Sequence, residues 1–246
     1  MKLKHIWVFC ISLLNVALLH GQDTAVPKEN QLALDSIKSQ PKTPLTLRLG
    51  ADLYRPIRSQ FDDGYQSMEW VVDLLFKKNT FIAFEWGTAD LTKQTEQVNF
   101  TTKGFYYKLG LEYNMYKNWE GMNNHVTLGF RFARSNFSQT LNEYTILDRT
   151  PFWEGFDSPV NTGYSTGERP NLSALWIEAV VNFKVQLFKN TYLGLGLRLH
   201  RLINDTPPEN FDNIYIPGFN KKTVENNFGA SFNYTLTYSI PFKFKK

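Results

Sequence analysis

Residues 227–244 read NFGASFNYTLTYSIPFKF. Every second residue is apolar or aromatic: Phe228, Ala230, Phe232, Tyr234, Leu236, Tyr238, Ile240, Phe242 and Phe244. Between them stand Gly229, Ser231, Asn233, Thr235, Thr237 and Ser239, then Pro241 and Lys243. A β-strand sends successive side chains to opposite faces, so this stretch has one greasy face and one small, polar face. The alternation outruns an ordinary strand of about five or six residues. A tilted strand needs about ten residues to cross a bilayer. The polar half carries almost no charge before the terminal lysines, which suits the crowded interior of a small barrel.

The rest of the chain repeats the pattern. Strands are expected at 45–54, 67–76, 81–88, 104–115, 125–135, 173–188 and 192–202, with 227–244 closing the ring. On each, one parity is apolar, as in Leu47, Leu49 and Leu53, or Trp70, Val72 and Leu74. The other parity mixes glycines with charges. The connectors after strands two, four and six are short, and those after one, three, five and seven are long, up to the stretch 136–171. Short periplasmic turns and long outer loops characterise outer-membrane barrels. The expected fold is therefore all-β, an eight-stranded antiparallel up-and-down transmembrane barrel with a polar, side-chain-filled lumen.

Ahead of the barrel (45–246) lie two further segments. Residues 1–21 have the form of a secretory signal: Lys2 and Lys4, an apolar run from Ile6 to Leu19, and a small residue, Gly21, at the cut. The single cysteine, Cys10, lies in that run, so the mature chain has none and disulfide or thiol chemistry is excluded. Removing Lys2 and Lys4 takes the net charge from +4 to +2, too weak a bias for nucleic acid. Residues 22–44, with Pro27, Pro41 and Pro44, read as a periplasmic tether. Asp23-Thr24-Ala25 and Asp35-Ser36-Ile37 within it resemble the O-glycosylation signal of Bacteroidota, with Thr24 and Ser36 as acceptors. An even strand number puts both termini in the periplasm. Mean hydropathy is −0.35, which conceals a barrel because its two faces average out.

A soluble lipocalin-like barrel is the competing architecture. Three features oppose it. The polar face carries Gly50, Gly87, Gly110, Gly129, Gly194, Gly196 and Gly229, small residues suited to a narrow lumen. The apolar face is nearly free of charge over all eight strands. The connectors alternate in length.

With the polar face inside, the lumen collects Arg48, Lys108, Arg131, Lys184 and Arg198 together with Asp52, Glu69, Asp73, Glu85, Glu112 and Glu178. Side chains can fill an eight-stranded interior, and charges placed there must pair. A salt-bridge plug is expected, joined by His200. With two histidines left in the mature chain and no cysteine, no metal site is expected, and no cofactor. Gly194-Leu195-Gly196 has no helix after it and makes no phosphate loop. Exposed aromatics in the outer loops, Phe152, Trp153, Phe156 and Tyr215, are candidate contacts.

The whole mature chain resembles small outer-membrane β-barrel proteins of the OmpA/OmpX architecture, and its aromatic-rich strands resemble Bacteroidota barrel families without an assigned function. The resemblance implies a cell outer membrane of Gram-negative type and the barrel fold, and transfers no active residue. Such barrels often end on Phe, whereas here Phe244 is followed by Lys245 and Lys246. The leading expectation is a non-enzymatic barrel, plugged by luminal salt bridges. It would act as a structural or interaction component through its long extracellular loops. Its partners would be outer-membrane lipid and another outer-membrane protein complex, with no nucleic acid. Two alternatives use the same lumen. One is a lipid-modifying enzyme with His200 and Ser231 on inward faces. The other is a narrow gated channel through residues such as Glu112 and Arg131.

Overall fold

In a computed structural model the described residues are 45–95, 98–117, 123–144, 166–208, 212–222 and 227–242. The expected signal and tether, Thr24, Ser36, Phe152, Trp153 and Phe156 lie outside them. The strands are β1 (Leu45–Asp52), β2 (Tyr65–Lys77), β3 (Thr80–Gln94), β4 (Val98–Asn114), β5 (His125–Tyr144), β6 (Gly167–Phe188) and β7 (Thr191–Asp205). After them come the two-residue strands β8 (Tyr215–Ile216) and β9 (Asn220–Lys221), then β10 (Phe228–Phe242). Among the described residues eight strands close one antiparallel barrel in the order β1-β10-β7-β6-β5-β4-β3-β2. The stretch at 228–242 joins first strand to last, pairing with β1 from Thr235 to Phe242 and with β7 from Phe228 to Tyr238.

Two of the short turns share one construction. Asn79 (φ 66°) and Asn190 (φ 67°) take the left-handed conformation that asparagine tolerates, each beside a register shift. Their carbonyls accept from Asn114 N–H (2.7 Å) and Ser239 N–H (2.7 Å), which ties each turn to the next strand.

The parity follows the sequence through the lower barrel. Trp70, Trp86, Leu109, Leu111, Phe130, Leu197 and Leu199 stand on the outside, with Leu111 56% exposed. Glycines let the inside fill: a Cβ at Gly110 would reach the Arg131 side chain at 2.8 Å.

Above this band the strands run on where the sequence reading places loops. β3 and β4 continue to Gln94 and from Val98, so the connector expected at 89–102 is mostly strand. β5 reaches Tyr144 and β6 begins at Gly167. Here the polarity turns inside out. Tyr65, Ala89, Leu91, Phe100, Phe137, Leu141, Leu172 and Ala174 are buried in the interior. Asp90, Thr101, Ser138 and Ser173, one position away from them, are not buried. The period of two persists with reversed phase, so a search for a continuous greasy outer face ends too early.

The segment after β1 also differs from expectation. Tyr54–Phe61 is a helix, α1, rather than an irregular turn. Pro56 sits in its first turn, where a missing N–H breaks no helical hydrogen bond. At the lower end, Phe81 and Tyr192 face inward and are buried. Between them lies the half-buried His125, with ring centroids 5.6 and 5.7 Å away.

Candidate functional site

Inside the barrel, alternation brings one charged residue after another to a common interior. Arg48, Asp52, Glu69, Asp73, Glu85, Lys108, Glu112, Arg131, Glu178, Lys184, Arg198 and His200 are all buried. At the lower end Arg48 pairs with Asp73 (3.4 Å) and stacks on Phe81 (4.1 Å), and Lys184 binds the same Asp73. Arg131 bridges Glu112 and Glu85, and Glu112 also accepts from Thr127 (2.8 Å) and Asn182 (2.6 Å). At mid-height Arg198 holds Glu85 through two nitrogens at 2.6 and 3.0 Å. Lys108 lies 3.1 Å from Glu178 and 3.6 Å from both Glu69 and Glu85. Glu69, Asp73, Glu85, Glu112 and Glu178 are thus each shared between cations, which is how buried charge is tolerated.

Arg55 escapes a reading by periodicity because it belongs to α1. Its guanidinium reaches Asp52 at 3.3 Å and Glu69 at 3.2 Å. Burial opposes its charge, but Tyr106, Glu69, Tyr65 and Tyr215 around it hold the guanidinium above its ordinary value. With Arg55, six cations face six carboxylates among the described residues.

The hairpin β8–β9 closes the barrel from above. Ile216-Pro217-Gly218-Phe219 makes a tight turn, with Phe219 N–H donating to the Ile216 carbonyl (3.1 Å) and Gly218 at φ 85°. Ile216 and Phe219 enter the interior cluster of Tyr106, Ala133, Phe137, Leu172, Trp176 and Leu202. Gln139 clamps the hairpin from β5, accepting from Ile214 N–H (3.1 Å) and donating to the Asp212 carbonyl (3.2 Å). Asp205 accepts from Asn213 (2.7 Å) and Lys222 (2.7 Å). Tyr215, expected as an exposed loop contact, is instead buried against Tyr65, Leu91 and Phe100, because the hairpin turns it inward.

At the top of the charge network the pattern changes. Glu178 on β6, His200 on β7 and Ser231 on β10 lie on three consecutive strands. Glu178 Oε1 is 2.9 Å from His200 Nδ1, and His200 Nε2 is 2.7 Å from Ser231 Oγ. Trp176 Nε1–H also donates to Glu178 (2.7 Å), and the ring of Phe219 lies 5.7 Å from that of His200. Ser231 is only partly buried and lines a cavity of about 470 Å³ shared with Tyr54, Arg55, Arg58, Tyr65, Phe100, Tyr215 and Lys221. Among the described residues no group of histidine, cysteine, aspartate and glutamate has metal-site geometry.

A family model described as a domain of unknown function, DUF6048, matches residues 3–246. The chain belongs to the DUF6048 family. No curated protein matches the sequence. Among solved structures, a major outer membrane protein from Thermus thermophilus is similar at 12% identity and a TM-score of 0.43. The match covers 80% of this DUF6048 chain and 98% of that one.

Proposed function

We propose that this protein is a closed, non-conducting barrel of a Gram-negative outer membrane that presents its outer mouth to lipid and to other outer-membrane components. The observation that carries the reading is the inversion of polarity along the strands. Below it the barrel is greasy outside and charged inside; above it the barrel is polar outside and greasy inside. A soluble barrel has no reason to change sign part-way, whereas a membrane boundary imposes that change. The periplasmic end is the one holding Leu45, Phe242 and the turns at Asn79 and Asn190, so the opposite end of the barrel is the outer mouth. The stretch 145–166, with Phe152, Trp153 and Phe156, is the proposed contact segment for a partner.

Leu111→Arg tests the membrane assignment. Arginine on a lipid-facing site near the midplane is expected to cost about 2–4 kcal/mol in unfolding from lipid vesicles. A change of less than about 0.5 kcal/mol, ordinary for a water-exposed site, would sink the assignment.

Closure is tested by conductance. The barrel interior is filled by the paired charges below and by Phe219 and Ile216 above. Purified protein in a planar bilayer is expected to give no unitary current steps, and steps that respond to Glu112→Gln or Arg131→Gln would make it a channel.

A further inference from the structure

We propose that Ser231, His200 and Glu178 form an acyl-transfer site that cleaves acyl esters of an anionic membrane lipid; the substrate assignment rests on the membrane reading above.

The hydrogen-bond directions follow from the groups present. Glu178, flanked by Lys108 (3.1 Å) and Arg198 (3.5 Å), is an ion-paired carboxylate and can only accept. His200 Nδ1–H therefore donates to it, and in the neutral imidazole the Nε2 lone pair faces the Ser231 hydroxyl. That is the arrangement of an oriented base and its nucleophile, recognised by geometry rather than by chain order. Glu178 meets cations as the other luminal carboxylates do, but among those of the described residues it alone hydrogen-bonds a histidine. Here the chain of polar contacts ends on a small hydroxyl at a cavity wall. A residue serving only to fix register would have no use for that opening.

The barrel wall offers a route to this hydroxyl. β1 ends at Asp52, opposite Thr235, with one further bond from Leu53 N–H to the Tyr234 carbonyl (2.6 Å). Above that, among the described residues, Phe228–Asn233 pairs with β7 on one edge and has no strand on the other. Tyr54 covers part of this edge, its ring 4.6 Å from Phe232. Phe232 and Ala230 point outward on either side of Ser231, so the hydroxyl lies at the height of the apolar band. An acyl chain held in the membrane can reach the gap from the side. The cavity behind it is lined by Arg55, Arg58, Lys93 and Lys221 against one carboxylate, Asp62, which favours an anionic headgroup.

The chemistry balances without a cofactor. Ser231 Oγ attacks the ester carbonyl as its proton passes to His200 Nε2. The ester C–O bond breaks, and the departing alcohol takes that proton. Water, deprotonated by His200, then cleaves the acyl-serine. The fatty acid leaves and Ser231 recovers its proton. Ser231 and His200 are the catalytic residues; Glu178 is the positioning residue.

The test uses the full chain purified in detergent micelles. A fluorophosphonate probe is expected to label it, with the adduct mapped to Ser231 by mass spectrometry. Turnover of a p-nitrophenyl dodecanoate is expected and is lost in Ser231→Ala. His200→Ala should lower the rate about 100- to 10,000-fold. Glu178→Gln should move the pH dependence of the rate, which a merely structural role would not do. Electrophoretic heat-modifiability verifies that each variant is folded; Ser231→Ala removes one oxygen and keeps the test decisive if His200→Ala fails to fold. A folded wild type with no adduct and no turnover overturns the proposal, as does labelling that survives in Ser231→Ala. Turnover confined to a p-nitrophenyl butyrate overturns the lipid substrate. Because the assay is in micelles, its outcome is separable from that of Leu111→Arg in vesicles.

Discussion

Replacing Arg198 by methionine is expected to destabilise the barrel by about 3–5 kcal/mol, the range for breaking a buried ion pair by removing one partner. Arg198 is buried and holds Glu85 through both terminal nitrogens, at 2.6 and 3.0 Å, with Glu178 at 3.5 Å and Glu69 at 3.7 Å. The methionine leaves three buried carboxylates, Glu85, Glu178 and Glu69, each short of one cation. Arg131 (3.4 Å) and Lys108 (3.6 Å) remain near Glu85, but both are already committed to Glu112 and Glu178. The measurement is equilibrium unfolding in urea from lipid vesicles. The double change Arg198→Met with Glu85→Met is expected to be less damaging than the sum of the single changes, because it removes both orphaned charges together. Additive losses would mean that the two side chains do not act as a pair.

Gly218→Val is expected to unseat the plug while leaving the barrel wall intact. Gly218 has φ 85°, a conformation that costs a side chain about 1–2 kcal/mol. A Cβ there would also lie 2.6 Å from Tyr106 Cγ, and overpacking of a filled core costs about 1–3 kcal/mol. Tyr106 cannot retreat, since its hydroxyl donates to Glu69 at 2.6 Å and a Cβ at Gly87 would already collide with the same ring. The hairpin is therefore the part that moves. Trypsin cleavage after Lys221 or Lys222 should become faster by a factor of about ten or more, a tenfold change corresponding to about 1.4 kcal/mol of opening. Heat-modifiability should stay that of a folded barrel. Unchanged cleavage would show that the hairpin is held by Gln139 and Asp205 rather than by its fit against Tyr106.

Much of this could be read from alternation. Leu47 and Leu49 against Arg48 and Gly50, or Phe130 and Phe132 against Arg131 and Ala133, announce which face is which. Once the face is assigned, the charged residues of the lumen follow by counting in twos. Two signals misled. Pro56 and Asp62-Asp63-Gly64 look like turn chemistry, yet the eight residues of α1 occupy most of that stretch and carry Arg55 into the network. Tyr215, Pro217, Gly218 and Phe219 look like loop aromatics and turn formers. The Pro-Gly pair marks a tight turn, but nothing local says that the turn faces inward.

The sequence by itself determined the strands of the lower barrel, their facing, the glycine-lined interior and its near-balance of charge. These depend on side-chain parity and volume, which are properties of the chain one or two residues at a time. The tertiary structure alone decided the rest: which cation meets which carboxylate, where polarity reverses, that the β8–β9 hairpin fills the mouth, and that Glu178, His200 and Ser231 touch. His200 is 22 residues from Glu178, and Ser231 is 31 residues further on. Only strand register brings such positions together. The short turn at Asn190 sets the β6–β7 register that pairs Glu178 with His200, whereas the β7–β10 register that brings up Ser231 is set across a long connector, where no turn fixes it.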